Sequence, residues 1–259
     1  MVAQERLHRI VEYLERVGAA KISELAAHFG VSDMTVHRDL RKLGEQGIIT
    51  KVHGGAVAKR VTEIPYRDRK VHAHIEKEAV ARIAASLVAP GMTIYLSPGT
   101  TVTEMAKVLS KEGLRIVTNS LPIAEALTLS SGHEIMLTGG TVRRYAEALV
   151  GPAAERMLAG QFFHLTFIAV TGIDIENGLT VYSDSEAQVL RTAIRSARKT
   201  VLLTDSSKFD KVMGPVVTPL EAVHVLISDP GIPEKYRDYL AAHDVQLVLA
   251  PVAEACGKE

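Results

Sequence analysis

The chain has 259 residues, and 47% of them are hydrophobic, which provides cores for one small domain and one medium domain. No apolar run approaches the roughly 20 residues of a membrane span, the N-terminus does not resemble a signal peptide, and the single cysteine, Cys256, excludes an internal disulfide and a thiolate zinc cluster, so we expect a cytoplasmic protein without a membrane partner. The net charge of zero divides into +4 over residues 1–70 and −4 over residues 71–259, which indicates a basic segment attached to an acidic body.

Three helices are predicted at the start of the chain. A helix over 3–17 carries its apolar residues on one face, and the same spacing recurs over 22–29 and over 36–43. Gly30 can adopt the left-handed conformation that ends a helix, and Ser32 can accept a hydrogen bond from the free amides of the next one. The apolar faces therefore pack on one small core.

The outward face of the third helix is basic. When the apolar residues of 36–43 point inward, the helical repeat turns other side chains outward, namely Thr35, His37, Arg38, Arg41 and Lys42. A DNA major groove about 12 Å wide admits such a helix, with its N-terminal side chains at base edges and its later cations at phosphates. We therefore predict contacts to bases from Ser32, Thr35, His37 and Arg38, and contacts to phosphates from Arg41 and Lys42.

A two-stranded wing is predicted beside this helix. The apolar pair Ile48 and Ile49 leads into Lys51, His53 and a turn at Gly54–Gly55. Lys51 and His53 are expected to contact the DNA backbone or the minor groove. The pattern as a whole favours a winged helix-turn-helix that binds double-stranded operator DNA, and the alternative is a small helical domain with an ordinary solvated charged face.

Residues 58–74 are polar and charged and contain a proline, which is typical of a linker. They would join a DNA-binding domain over 1–57 to an effector-binding and oligomerisation domain over 75–253. His72 and His74 lie in this segment without a cysteine or carboxylate cluster near them in sequence, so we predict no metal site there.

Beyond residue 75, short aliphatic runs alternate with helical patterns. We predict seven strands, at 92–96, 115–118, 134–138, 165–170, 200–204, 224–228 and 245–250. Helices are predicted near 75–88, 101–111, 121–130, 185–198 and 233–242. This alternation predicts an α/β fold in which a mainly parallel sheet is covered on both faces.

Polar residues and glycines follow the first five predicted strands. Ligands of such sheets bind beyond the carboxyl ends of the strands, where glycine and hydroxyl residues at a helix start present amides to phosphate. Asn119, Asp174 and Asp205 are expected to bind sugar hydroxyls, and Arg143 and Lys208 to neutralise phosphate. The candidate residues for a small phosphorylated polyol are Ser97, Gly99, Thr100, Thr101, Asn119, Ser120, Gly139, Gly140, Arg143, Gly172, Asp174, Asp205 and Lys208. For each strand end taken alone, the alternative is ordinary turn chemistry.

The segment VSDMTVHRDLRKLGEQGIITKVHGGA, residues 31–56, resembles the N-terminal signature of the DeoR family of bacterial transcriptional regulators. The later motifs GTT, VTNS, TGG followed by an arginine, FIAVTGID with a later Glu186–Ala187, and LLTDSSKF resemble the effector domain of that family, so the resemblance covers nearly the whole chain. Two positions depart from the family pattern. His37 stands where the family usually has arginine, and Pro98 follows a Leu–Ser pair where the family more often has an acidic residue and then a small one.

The resemblance implies an effector domain similar in fold to ribose-5-phosphate isomerase. It implies that Gly99, Thr100 and Thr101 hold phosphate, and it places Asp174, Glu186 and Lys208 where an isomerase keeps its polar catalytic groups. We therefore expect a homodimeric or homotetrameric repressor of a carbohydrate-use operon that a phosphorylated sugar releases from its operator, without a metal, cofactor or catalytic residue. The alternatives are an isomerase-like enzyme that carries a DNA-binding head and a structural DNA-binding protein without a ligand.

Overall fold

The computed structural model describes residues 3–17, 19–45, 49–52, 54–58, 63–128 and 132–251. The chain divides into two compact units, Met1–Glu63 and Ile64–Glu259, which we call the first unit and the second unit. The division falls within the segment that was predicted to be a linker. In the part of the chain that the structure describes, no helix is long and apolar enough to cross a membrane.

The first unit has three helices and a small antiparallel sheet. The helices are α1 (Ala3–Val17), α2 (Ile22–Phe29) and α3 (Asp33–Glu45), which confirms the three predicted helices. The strands are β1 (Ala19–Lys21), β2 (Ile49–Val52) and β3 (Gly55–Ala58), paired in the order β1-β3-β2. Its core contains Ile10, Leu14, Leu25, Val36 and Leu40.

The wing has a third strand, β1, that the sequence did not predict. Ala19–Lys21 contains no β-branched or aromatic residue, so its strand conformation depends on pairing with β3, where Ala20 lies opposite Ala56. The strands β1 and β3 approach so closely that a Cβ at Gly55 would clash with the backbone oxygen of Ala20. The prediction of a two-stranded wing is therefore corrected to a three-stranded sheet.

The second unit is a three-layer α/β domain. Its helices are α4 (Tyr66–Val71), α5 (His74–Ser86), α6 (Thr100–Val108), α7 (Leu121–Thr128), α8 (Pro152–Ala159), α9 (Asp184–Arg195) and α10 (Glu234–Ala242). Its strands are β4 (Thr93–Leu96), β5 (Arg115–Thr118), β6 (Glu134–Leu137), β7 (Thr141–Arg143), β8 (Ala148–Val150), β9 (Leu165–Ile168), β10 (Gly172–Asp174), β11 (Gly178–Thr180), β12 (Thr200–Leu203), β13 (Val216–Thr218), β14 (Val225–Ser228) and β15 (Gln246–Leu249).

The seven predicted strands form one parallel sheet in the order β15-β14-β12-β9-β4-β5-β6. The chain runs outward from β4 through β5 to β6 and then returns to place β9 on the other side of β4. The strand order therefore reverses between β4 and β9, and a crevice opens at such a point beyond the carboxyl ends of the strands.

Hydrophobic residues cover both faces of this sheet. Ile94 and Leu96 of β4 belong to the cluster that contains residues of α5, α6 and α7, and Tyr95 between them belongs to a cluster with residues of α8 and α9. Alternate side chains of a strand point to opposite faces, so a strand buried on both sides needs an unbroken apolar run. This requirement explains why the sequence predicted the buried inner strands β9, β12 and β14.

Several short elements were not predicted. The segment 58–74, predicted as a linker, contains α4, because Tyr66 is buried and its hydroxyl donates a hydrogen bond of 2.9 Å to Thr103 Oγ1. The helix α8 was also missed. The antiparallel pair β7-β8 and the sheet β10-β11-β13 consist of strands of three residues each, too short to show a period of their own.

Candidate functional site

Helix α3 of the first unit begins with a side-chain cap. The Thr35 amide donates to Ser32 Oγ at 3.3 Å, and the hydroxyls of the two residues lie 3.0 Å apart. Ser32 is exposed and Thr35 is half-buried. The cap fixes the first turn of α3, so side chains on that turn project in defined directions.

The four predicted contacts at the middle of α3 are all exposed, namely His37, Arg38, Arg41 and Lys42. The opposite face is buried through Val36, Leu40 and Leu43. Arg41 Nε lies 4.0 Å from Glu45 Oε1, a distance at which an exposed ion pair contributes little, so its guanidinium remains available to phosphate. The helix therefore presents a cationic face of the kind that enters a major groove.

Residues beside this face extend it. Lys51 on β2 is exposed, and its side-chain carbons lie 3.4 Å from the position that a Cβ on Gly44 would occupy, so its stem passes over the end of α3. Met34 is 78% exposed on the first turn of α3 and was not predicted to contact DNA. His53, a predicted wing contact, lies outside the described residues.

A buried ion pair holds α3 in place. Arg6 Nε of α1 donates to Asp39 Oδ2 at 2.6 Å, and both side chains are almost completely buried. The hydrogen bond to the Asp39 carboxylate raises the pKa of Arg6, so the Arg6 guanidinium stays charged. Sequence reasoning missed this pair. The signal that could have revealed it is the position of Asp39, an acidic residue among the apolar residues on the inward face of α3.

A cavity of about 60 Å³ lies in the second unit at the point where the strand order reverses. Residues that follow β4, β5, β9 and β12 line it, together with side chains of α4, α6 and α9. The lining residues are Arg69, Pro98, Gly99, Thr100, Thr101, Asn119, Ala146, Ala169, Val170, Thr171, Val181, Glu186, Val189, Leu190, Leu203, Thr204, Asp205 and Lys208.

The first turn of α6 forms one wall of this cavity. A Cβ at Gly99 would lie 2.5 Å from Ala169 Cβ, so only glycine allows the approach between the start of α6 and the end of β9. The buried Thr100 and Thr101 are the first two residues of the helix. Free amides and the helix dipole at this position attract an anion.

Two cationic side chains reach the same cavity. Lys208 follows β12, and burial lowers its pKa while the carboxylate of Asp205 opposes that change. Arg69 comes from α4, and its Nε is buried without a hydrogen-bond partner among the residues that the structure describes. Arg69 was not predicted, because sequence reasoning assigned its segment to a linker. Together with the first turn of α6, these cations make the cavity suited to an anion.

Two polar residues of the lining are fixed by other bonds. Asn119 Oδ1 accepts from the Tyr95 hydroxyl at 2.6 Å, and its Nδ2 donates to the Leu149 carbonyl at 2.7 Å. Burial raises the pKa of Tyr95, so the hydroxyl keeps the proton that it donates. Asp205 Oδ1 accepts from the amide and hydroxyl of Ser207. Both side chains are therefore held in one orientation beside the cavity.

Glu186 and Arg143 form a pair, of which only Glu186 lines the cavity. Arg143 Nε lies 3.4 Å from Glu186 Oε2 and donates to Ser183 Oγ at 2.9 Å. The structure thus places Arg143 behind Glu186 and beside the start of α9. A positive charge there offsets the negative charge that Glu186 brings to the cavity wall.

The structure places five other predicted effector residues away from the cavity lining. Ser97 Oγ accepts the Ala169 amide at 3.0 Å and Ser120 Oγ accepts the Ile123 amide at 3.4 Å, so both hydroxyls serve the backbone. Gly139 precedes Gly140 in the turn before β7, and Gly140 has a φ of 131°. Gly172 packs against the Lys211 carbonyl.

Asp174 is also outside the lining. Its Oδ1 accepts from the Glu176 amide at 3.1 Å and from the Asn177 amide at 2.8 Å, which closes the turn between β10 and β11. Such a bond pattern is that of an aspartate that stabilises a turn. Asp174 and Lys208, which the resemblance placed together, are therefore not both at the cavity.

Among the described residues, no group of three or more His, Cys, Asp or Glu side chains could hold a metal ion. Pro98, which departs from the family pattern, lines the cavity directly before Gly99.

A winged helix with a cationic face in one unit and a polar cavity in the other define a DNA-binding transcriptional regulator with a sensor domain. Family models agree with this class: the DeoR-like helix-turn-helix domain matches residues 6–62, and the DeoR C-terminal sensor domain matches residues 72–230. The chain belongs to the DeoR family of transcriptional regulators.

Relatives match over nearly the whole chain. It is 34% identical over 253 residues to the HTH-type transcriptional regulator GlpR of Haloferax volcanii, covering 96% of this chain and 98% of the relative. It is 31% identical over 251 residues to the glycerol-3-phosphate regulon repressor of Escherichia coli K12, covering 96% and 100%. The HTH-type transcriptional repressor CsqR of Escherichia coli K12 is 32% identical over 251 residues, covering 96% of each chain.

Solved structures match part of the chain. A D-ribose-5-phosphate isomerase is similar with a TM-score of 0.39 and 14% identity over 51% of this chain and 52% of that one. The delta subunit of eIF2B from Chaetomium thermophilum is similar with a TM-score of 0.41 and 17% identity over 54% and 50%.

Proposed function

We propose that the protein represses a carbohydrate-use operon and that a phosphorylated sugar or polyol bound in the cavity of the second unit releases it from its operator. The observation that carries the proposal is the meeting of Arg69, Lys208 and the first turn of α6 around one cavity. A phosphate group needs such a combination of cations and free amides. The glycerol-3-phosphate regulon repressor among the relatives supports an effector of this chemical class.

In the first unit, the proposed contacts to bases come from the exposed N-terminal part of α3. Ser32, Thr35, His37 and Arg38 would contact base edges, and Arg41 and Lys42 would contact phosphates. Lys51 would contact the backbone from the wing. Because Lys51 lies beside the end of α3, one duplex can engage both elements.

We further propose that the cavity binds its ligand without catalysis. The relatives are named as transcriptional regulators. In the cavity, Glu186 is paired with Arg143, and Asp174 is engaged in a turn away from the lining. A turnover assay with pentose and hexose phosphates addresses the isomerase alternative, and isomerase activity that is lost in Asp174→Asn would contradict the proposal.

The test of release uses an operator selected from a random DNA library and the intact protein. Fluorescence anisotropy measures operator affinity with a panel of phosphorylated sugars, glycerol 3-phosphate and the unphosphorylated compounds. We expect at least one phosphorylated compound to weaken DNA binding while its unphosphorylated counterpart has no effect. A panel in which nothing alters operator affinity, with no shift in thermal unfolding either, would favour a DNA-binding protein without such an effector.

The variant Lys208→Ala distinguishes the residues that bind the ligand from those that bind the operator. It should bind the selected operator as the parent does, because Lys208 belongs to the second unit, yet its release should no longer respond to the active compound. Lys211→Ala is the matched control, since Lys211 is exposed three residues later and does not line the cavity. Equal responses of Lys208→Ala and the parent would remove Lys208 from the site.

A further inference from the structure

The helix α4 is the first element of the second unit. Tyr66, at its start, follows Glu63, the last residue of the first unit, by only three positions. Whatever holds α4 therefore fixes the point at which the chain leaves the second unit toward the DNA-binding unit. A ligand that changes the contacts of α4 would therefore act at the point where the two units are joined.

Contacts with the helices α5 and α6 and with the turn at Tyr145 hold α4 on the second unit. The Tyr66 amide donates to the Tyr145 carbonyl at 2.8 Å, and the Tyr66 hydroxyl donates to Thr103 Oγ1 of α6 at 2.9 Å. The buried Lys77 of α5 donates from Nζ to the Arg69 carbonyl at 2.6 Å and to the His72 carbonyl. The backbone of α4 is thus anchored at both ends.

The Nε atom of the Arg69 side chain, in contrast, forms no hydrogen bond with the residues that the structure describes. This atom is buried and without a hydrogen-bond partner among the described residues, and the side chain lines the cavity together with Lys208. A buried N–H group without an acceptor is costly, so an acceptor in the cavity that reaches the Arg69 Nε would be favoured. The side chain is therefore suited to bind a ligand from a backbone that Lys77 already holds.

The local charge balance also favours an anion. Burial is the main cause that lowers the pKa of Lys77 and of Lys208, the nearby Arg69 lowers both further, and Asp205 is the carboxylate that acts on both in the opposite direction. Glu104 is paired with Lys107 Nζ at 2.7 Å and contributes less to this balance. A phosphate in the cavity would reduce the repulsion among the three cations.

We propose that Arg69 is an anion-binding residue that couples the cavity to the start of the second unit: a phosphate group held by Arg69 and the first turn of α6 adds a contact that stabilises α4 further in its place. This inference rests on the proposed function, because it requires an anion in the cavity. It adds the residue and the element through which occupancy acts on the DNA-binding unit.

The experiment measures hydrogen–deuterium exchange of the full chain with and without inorganic phosphate, and with sodium chloride at matched ionic strength. In the parent, phosphate should slow exchange in the first turn of α6 (100–103) and in α4 (66–71). In Arg69→Gln, the protection of α6 should require roughly tenfold more phosphate, and the protection of α4 should be lost. Arg67→Gln is the control, because Arg67 lies on the same helix, is exposed and pairs with Glu147.

The outcomes distinguish the two proposals. If phosphate protects neither segment of the parent, the cavity does not bind the anion and the proposed function fails with the inference. If phosphate protects α6 but not α4 in the parent, the coupling role of Arg69 is wrong while the anion site stands. The same conclusion follows if phosphate protects α4 in Arg69→Gln as strongly as in the parent. Parent behaviour of Arg67→Gln together with loss in Arg69→Gln supports the proposal. Circular dichroism of each variant excludes unfolding as the cause.

Discussion

At the scale of single residues, Arg38 is the most informative side chain of the first unit. It is exposed at the centre of α3, between the capped first turn and the later cations. An arginine there can bind a guanine edge with two hydrogen bonds, and losing such a contact costs about 1–3 kcal/mol. We therefore expect Arg38→Ala to weaken operator binding about tenfold to hundredfold in anisotropy titrations, and to leave effector binding unchanged.

The control for Arg38→Ala is Arg82→Ala, which removes an exposed arginine of α5 that pairs with Glu78 at 3.9 Å. It should leave operator affinity at the level of the parent. If Arg38→Ala also binds the operator like the parent, α3 is not the recognition helix.

Lys208 gives the cavity a dependence on pH. Burial lowers the pKa of its amino group and Asp205 partly restores it, so Lys208 loses its proton at a lower pH than an exposed lysine does. Phosphate affinity should therefore fall as pH rises, and the fall should begin below the range in which an exposed lysine loses its proton. Asp205→Asn should move this fall to lower pH, because the carboxylate that favours the charged lysine is gone.

Isothermal titration across pH 7.5 to about 10 measures this effect. Lys208→Arg should bind without the fall, since a guanidinium keeps its proton throughout. An affinity profile that is identical in the parent and in Lys208→Arg would contradict the assignment of Lys208 to the anion.

At the scale of elements, a buried ion pair joins α1 and α3 beside the apolar core that the two helices share. Arg6 and Asp39 are shielded from water, so removing one partner leaves an unpaired buried charge, at a cost of about 3–5 kcal/mol. We expect Asp39→Asn to lower the unfolding temperature of the first unit measured by calorimetry, and to weaken DNA binding because α3 is no longer held. Asp33→Asn, an exposed acid on the same helix, should change the unfolding temperature much less. Equal effects of the two variants would show that the pair does not hold α3.

At the scale of the whole molecule, charge argues for more than one DNA-binding unit per complex. Residues 1–70 carry a net charge of only +4, and the whole chain has a net charge of zero. DNA affinity depends on the number of phosphates that cations neutralise, so one DNA-binding unit supplies few such contacts. We therefore expect a dimer or tetramer in sedimentation equilibrium, and an operator with half-sites about 34 Å apart or at a multiple of that spacing. A monomer that binds one half-site at full affinity would contradict this.

Much of the architecture could be predicted from the sequence because it is encoded locally. The buried strands show as apolar runs and α3 shows as an apolar stripe behind a capping serine, so both appear within about ten residues. By contrast, β1 has no strand signal of its own and exists through its pairing with β3. The helix α4 was assigned to a linker for the same reason, since its stability depends on the contact of Tyr66 with Thr103, 37 residues away in the sequence.

The candidate site divides in the same way. The sequence by itself determined which strand ends are polar and that Gly99, Thr100 and Thr101 lie at the start of a helix, because these are properties of contiguous residues. Only the tertiary structure decided that Arg69 joins the cavity, that Asp174 closes a turn elsewhere and that Asp39 pairs with Arg6. The physical reason is that caps and periodicity act between neighbours in the chain, whereas a cavity and a buried ion pair arise from side chains that long-range packing brings together.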